Sequence, residues 1–411
     1  MHVTIVDSDV SWPATSGKRL RTLNLILPLA ARHRLTYIGR SSGSAQDRDA
    51  RIFLADQGIT PILVEEPLAV SSGAAFYARV AANVLDTAPY SLRAHMTPLM
   101  RHAVQTHLAT ARADVCQLEW VGYLHTIAGA RVPSVLQAHN VESLVWRRYA
   151  ETERNPAKRA FMRNQWQKFL RHEGDAFRSV TRVVTVSEAD RGLAWSLYGS
   201  NLPIDVVENG VDVVYYRSVA WQPRRHSILF VGALDWRPNQ DAVDVLLSEI
   251  LPATRRLVPD AQLVVVGRRP PPALVRRIAA TDGAELASDV PDVRPYLASA
   301  GVVSVPLRIG GGSRLKILEA LAAGVPVVST TIGAEGLDLA SGTHLLIADD
   351  VAAQARELAA VLTTPRRFSP QAAAGRLHVA GKYDWSSLAV ELEKVWESAA
   401  RARPAAAKAA S

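Results

Sequence analysis

Cysteine is nearly missing from this 411-residue chain: Cys116 stands alone, which excludes an internal disulfide framework and any multi-cysteine metal site. Long hydrophobic runs are missing as well. Met1 to Val10 has no basic stretch followed by a long apolar one, and no run approaches the roughly 20 residues needed to cross a bilayer. Acidic residues are in deficit, 39 Asp and Glu against 47 Lys and Arg, for a formal charge of +8. That excess would attract phosphorylated substrates, an anionic membrane surface or nucleic acid, and charge alone does not choose among them. A complete nucleotide triphosphatase loop is also lacking, since Ser11 to Arg21, SWPATSGKRLR, holds a Gly-Lys pair without the full spacing. No histidine has partners spaced like metal ligands, so no metal site is expected. A soluble protein of a reducing cytoplasm is the simplest expectation, with peripheral membrane contact left open.

What is present is ordinary globular composition, 48% hydrophobic and 21% charged, enough for two domains each with its own core. Short apolar runs alternate with longer helical patterns, the signal for parallel sheets with crossover helices. In the first half the predicted strands are Val3 to Val6, Leu35 to Ile38, Ile62 to Val64, Val115 to Leu118, Ser134 to Ala138, Val183 to Val186 and Asp205 to Val207. In the second they are Ile228 to Val231, Leu263 to Val266, Val302 to Val305 and Val325 to Val328. The fold class is therefore α/β, with two Rossmann-like doubly wound parallel sheets in domains 1–214 and 215–384. Two such domains facing one another would make an interdomain cleft. Leu388, Val390, Leu392 and Val395 predict a terminal helix over 385–400, and 401–411 reads as a disordered tail.

The densest chemistry lies in Val302 to Thr331, VVSVPLRIGGGSRLKILEALAAGVPVVSTT. A β-branched run is followed by Gly310, Gly311 and Gly312, which permit a tight turn, and by Ser313 as the expected N-cap of a helix carrying Leu315, Leu318 and Leu321. The bare N-terminus of such a helix offers unpaired N–H groups and the positive pole of its dipole to a phosphate, with Arg314 and Lys316 as added cations. Glu319, one turn on, is placed to accept hydrogen bonds from sugar hydroxyls. A structural turn with two solvated cations is the plainer reading, and spacing does not decide between them.

The whole segment resembles the donor-binding signature of the family 4 retaining glycosyltransferases, which have the two-domain GT-B fold. The likeness runs through nearly the whole chain in order and is strongest from Ile228 to Leu337. The loop GALDWRPN from Gly232, QLVVVGRR from Gln262, SDVPDVRPY from Ser288, SVLQAHN from Ser134, VVTVSEAD from Val183 and VVENGVD from Val206 are similar to the family's other landmarks. The resemblance implies a donor site of Gly17, Gly232, Arg237, Gly267, Arg268, Val293, Gly311, Gly312, Ser313, Arg314, Lys316 and Glu319, with Arg314 and Lys316 on phosphate and Glu319 on ribose. It places His139 beside the reacting sugar carbon and Lys18, Arg21 and Asn140 near the acceptor. The catalytic set is then His139, Arg314 and Lys316. Two departures stand out. Ala233 and Pro238 occupy places where the family often has arginine and lysine, and Gly311 stands where a first glutamate is usual. Arg237, Arg314 and Lys316 are candidates to supply the charge, and backbone amides of the glycine loop would replace the carboxylate.

The implied reaction is transfer of a hexose from a UDP- or GDP-sugar to an acceptor hydroxyl on a glycan, a glycolipid or a small molecule. The family uses no metal and no cofactor beyond the nucleotide sugar. A nucleotide-sugar 2-epimerase of the same fold and a catalytically silent nucleotide-sugar-binding protein are the alternatives. One further stretch, Trp146 to Phe177, combines Arg147, Arg148, Arg159, Arg163, Lys168 and Arg171 with Trp146, Phe161, Trp166 and Phe169 and would suit an anionic membrane surface. Its stripe of Met162, Trp166, Phe169, Glu173 and Phe177 favours core packing with a solvated basic face. Nucleic acid is not an expected partner, because no recognised fold or stacking platform accompanies the charge.

Overall fold

The structure is a computed structural model that describes residues 1–66, 72–224, 226–309 and 314–402. Its contacts divide it into two compact units, one built on Met1–Glu208 with the chain from Ser386 on, the other starting at Asn209 and including Arg314–Trp385.

The first unit holds a parallel sheet of β1 (His2–Asp7), β2 (Arg34–Ser41), β3 (Ile59–Glu65), β4 (Val115–Leu118), β5 (Ser134–Ala138), β6 (Arg182–Thr185) and β7 (Ile204–Val206). Their spatial order is β3-β2-β1-β4-β5-β6-β7. The second unit holds β8 (Ser227–Val231), β9 (Gln262–Gly267), β10 (Ala284–Ser288), β11 (Val302–Val305), β12 (Val327–Ser329) and β13 (Leu346–Ile347), in the order β10-β9-β8-β11-β12-β13. Both orders start in the middle, run outward and reverse beside the first strand. Each unit is thus doubly wound, and its switch point lies between β1 and β4 or between β8 and β11, where ligands of open α/β sheets bind beyond the carboxyl ends.

Buried central strands account for the legible runs: every residue of β1, β4, β5 and β11 is buried, so they read as mostly apolar stretches. The strands β10 and β13 escaped the sequence. The first, AELAS, is half-exposed at the sheet edge, and the second has two residues, so neither presents an apolar β-branched run. Ser187 caps the helix Glu188–Tyr198 through the Asp190 N–H, as its spacing predicts. The helix Trp385–Arg401 packs within the first unit, where Trp396 is fully buried and donates its indole N–H to Gln117 at 2.6 Å. In the helix Pro156–Ser179 the stripe carrying Phe169, Glu173 and Phe177 is buried. Lys168 departs from the solvated face: it is buried, and its ammonium donates to the Asn83 carbonyl at 2.5 Å. No described helix is long and apolar enough to cross a membrane.

Candidate functional site

In the second unit the chemistry gathers where β8 and β9 end and the helix Leu315–Ala322 begins. Gly310, Gly311, Gly312 and Ser313 lie outside the described residues. The N-cap position itself belongs to Arg314 and not to Ser313, and Arg314 holds a left-handed backbone, φ 50 and ψ 16, without a capping side-chain bond. A non-glycine residue in that region costs roughly 1–2 kcal/mol, the kind of strain that collects at functional sites. The Arg314 guanidinium is buried, with Nη2 3.1 Å from Glu335 Oε2 and Nε donating to the Glu335 carbonyl at 3.2 Å.

Lys316 turns toward the carboxyl end of β8. Its ammonium donates to Asn239 Oδ1 at 2.6 Å and stands 4.3 Å from the centre of the Phe230 ring. Asn239 is itself buried, and its amide donates to the Ala233 carbonyl at 2.8 Å. Burial, helped by the charge of Arg314 and opposed by that of Glu319, brings the Lys316 ammonium down to about 7. Glu319 accepts the Tyr216 hydroxyl, and burial pushes its carboxyl above the ordinary range. Lys316, Asn239, Glu319 and Tyr216 are thus a prearranged set, with the lysine half-buried at the strand ends.

Two glycines allow this convergence. A Cβ on Gly232 would sit 2.9 Å from Asn239 Nδ2 and 3.0 Å from Lys316 Nζ, and one on Gly267 would sit 2.1 Å from the Gly232 carbonyl oxygen. Arg268, just after β9, has Nη2 3.6 Å from Asp235, and Arg237 opens the helix Arg237–Val245. Val293 precedes the helix Arg294–Ser299, where its carbonyl accepts the Tyr296 and Leu297 N–H groups. That carbonyl is therefore occupied, which narrows the expected contact with a base to the remaining backbone groups.

In the first unit, Gly17 opens the helix Gly17–Ala30, whose cap is Ser16. Lys18 reaches back to the end of β1. Its ammonium donates to the buried Asp7 carboxylate and to Ser8 Oγ at 2.7 Å, and the Asp7 and Asp9 carboxylates raise its pKa despite burial. Arg21, expected at the acceptor, is instead 1% exposed and donates to the carbonyls of Glu208 and Val207, each at 2.6 Å. It fastens its helix to the residues after β7, and its burial corrects the expectation. His139 and Asn140 follow β5 and are half-exposed. His139 Nε2 lies 3.1 Å from Glu119 Oε2.

Glu119 has no place in the sequence reading. It is buried after β4 and also accepts from Thr22 Oγ1 at 2.7 Å and Gln117 Nε2 at 2.5 Å. Burial alone would raise its pKa, but the His139 bond and charge, with Thr22 and Lys18, hold it down at about 2. Asn239, Tyr216 and Phe230 were missed too, because their partners are distant in sequence. Only the position of Glu119 just past an apolar strand offered a signal. No group of three or more His, Cys, Asp or Glu suited to a metal ion occurs among the described residues.

With these positions set, similarity to known proteins becomes informative. Residues 22–215 match the family described as Glycosyltransferase Family 4, and residues 225–364 match Glycosyl transferases group 1. The chain belongs to the family 4 glycosyltransferases. A GDP-mannose-dependent monoacylated alpha-(1-6)-phosphatidylinositol monomannoside mannosyltransferase of Corynebacterium glutamicum is 26% identical over 50% of this chain and 59% of its own length. The phosphatidyl-myo-inositol mannosyltransferase of Mycobacterium leprae is 32% identical over 52% of this chain and 59% of its own. The chain therefore spans about three fifths of the length of these relatives. In fold, this family 4 member is similar to Anabaena HepE, solved with UDP, at a TM-score of 0.69 and 14% identity over 97% of this chain and 100% of that one. The sucrose-phosphate synthase of Thermosynechococcus elongatus gives a TM-score of 0.72 at 14% identity, covering 97% and 99%. These likenesses show the fold alone, the GT-B arrangement of Rossmann-like domains.

Proposed function

We propose that this protein is a retaining, metal-independent hexosyltransferase that takes its sugar from a nucleotide diphosphate donor. The observation that carries the reading is the half-buried Lys316 ammonium, held by Asn239 at the close approach of Gly232, with Glu319 one turn further along the same helix. A cation kept short of full hydration binds a diphosphate more strongly than a solvated one, and a carboxylate beyond it suits ribose hydroxyls. The relatives' names, both mannosyltransferases and the Corynebacterium one GDP-mannose-dependent, favour a guanine nucleotide and mannose within the UDP- or GDP-sugar class.

In the proposed step the bond between the anomeric carbon and the diphosphate oxygen breaks as the acceptor hydroxyl attacks from the same face. The hydroxyl proton passes to the departing diphosphate, whose charge Lys316 and Arg314 take up. His139, oriented by Glu119, is assigned to the sugar, and Lys18 and Asn140 to the acceptor. The acceptor is a glycan, a glycolipid or a small molecule.

Incubation with UDP- and GDP-sugars, followed by nucleotide and sugar analysis, tests the reading. Slow release of nucleoside diphosphate supports transfer. An isomerised sugar, tight binding without turnover, or donor affinity unchanged in both Lys316→Ala and Glu319→Ala would overturn it.

A further inference from the structure

Arg40 is a buried charge that the donor and acceptor assignments leave unexplained. It occupies the next-to-last place of β2, is 5% exposed, and has Nε and Nη2 buried without a hydrogen-bond partner among the described residues. No carboxylate among the described residues stands within ion-pair distance of it, whereas its cationic neighbours are neutralised: Lys18 by Asp7 and Arg19 by Asp9. Leaving a guanidinium buried and unpaired costs several kcal/mol, so a fold that keeps one has a use for it.

Strand alternation puts Arg40 on the face of Ile38, which packs in the core with Leu118, Val121 and Tyr123. On that side Tyr123 shares a hydrogen bond with His95 at 3.0 Å, and the His95 ring meets Trp120 edge-on at 5.0 Å. The charge of Arg40 reaches both His95 and Tyr123. Burial first, then Arg40 and Lys18, outweigh Asp9 and push His95 down to about 4, so the histidine is neutral near pH 7 and does not compete with Arg40 for an anion. Asp7, Arg40 and Glu119 all stand at the carboxyl edge of one sheet, flanking the β1/β4 switch point.

We infer that Arg40, with the Tyr123 and His95 pair beside it, forms an oxyanion subsite in the first unit that holds a phosphate or carboxylate group of the acceptor. The planar fork of a guanidinium matches two oxygens of such a group, and the missing partners Nε and Nη2 are the two that a bidentate contact engages. The inference rests on the proposed transfer only in calling the ligand an acceptor. The subsite itself stands on Arg40.

The test is titration of the full chain with inorganic phosphate, followed by calorimetry, in the wild type, Arg40→Met and Lys316→Ala. Phosphate affinity should fall at least tenfold in Arg40→Met and stay within twofold in Lys316→Ala, while nucleoside diphosphate binding shows the reverse pattern. Removing an unpaired buried charge should also leave the thermal midpoint of ligand-free Arg40→Met equal to or above that of the wild type. If Arg40→Met does not fold, Arg40→Lys, which keeps the charge and loses the fork, carries the test with an expected loss of fivefold or more. Phosphate affinity equal in wild type and the Arg40 variants, or lost only in Lys316→Ala, overturns the subsite. Failure of nucleotide binding alone overturns the donor reading and leaves the subsite standing. Sedimentation with phosphatidylglycerol vesicles, against phosphatidylcholine vesicles, identifies the source: Arg40-dependent capture by the first assigns a lipid headgroup, and its absence with phosphate binding intact assigns a soluble monoester.

Discussion

The Lys316 ammonium lies 2.6 Å from the Asn239 side-chain carbonyl, so two residues separated by 77 positions fix the cation at the end of β8. A neutral acceptor holds the lysine in place without cancelling its charge. Its tuning to about 7 has a measurable consequence.

A diphosphate beside Lys316 favours the charged form, so donor binding takes up a proton wherever the free lysine is partly neutral. Affinity should decline as pH rises from 7 to 9, by up to about tenfold per unit. Calorimetry in two buffers of different ionisation heat reads the proton uptake directly. Lys316→Met should abolish it, and a flat pH profile in the wild type would contradict the assignment.

Gly267→Ala should disturb the second unit at the close approach of two glycines of the expected donor site, Gly267 and Gly232. The added carbon would stand 2.1 Å from the Gly232 carbonyl oxygen, which is backbone and cannot swing away. We expect a loss of about 2–4 kcal/mol in denaturant unfolding together with weaker nucleotide binding. Gly232→Ala, whose nearest atoms are side-chain ends, should cost less stability but break the Lys316 to Asn239 contact.

The Glu119 carboxylate supplies a second pH effect of known sign. Its pKa drops from 4.5 to about 2, so its stabilisation is complete above pH 4.5 and is lost as pH falls toward 2. The contribution is about 3 kcal/mol at most. Urea unfolding across that range should show a slope in the wild type that Glu119→Gln lacks. An identical slope in both proteins would remove the His139 to Glu119 pair as its source.

Arg21→Ala should unfold more readily, by about 2–4 kcal/mol, because the carbonyls of Val207 and Glu208 lose their donor inside the protein. An acceptor contact would instead raise the Michaelis constant for acceptor at unchanged stability. Thermal melts beside acceptor kinetics separate the two.

The sheets were legible because their central strands are buried on both faces and so are mostly apolar, as β4, β5 and β11 are, each with no more than two polar residues. The helix that bears Lys316 and Glu319 was legible for a related reason: both fall within one short segment whose apolar residues recur at helical spacing, with Arg314 at its N-cap. Arg21 misled because a basic residue in a polar loop and helix start looks solvated until a distant strand end is folded against it.

Sequence by itself determined the α/β class, the doubly wound sheets and the helix that bears Lys316, since burial pattern and helical period are local properties that the order of residues encodes directly. Tertiary structure alone decided which charges are spent and which are kept. Lys18 meets Asp7, Arg21 meets the carbonyls after β7, Glu119 meets His139, and Arg40 Nε and Nη2 meet no partner among the described residues. The physical reason is that a charge's fate depends on dielectric and on neighbours brought close by folding, and these are fixed by contacts across the sheet, far apart along the chain.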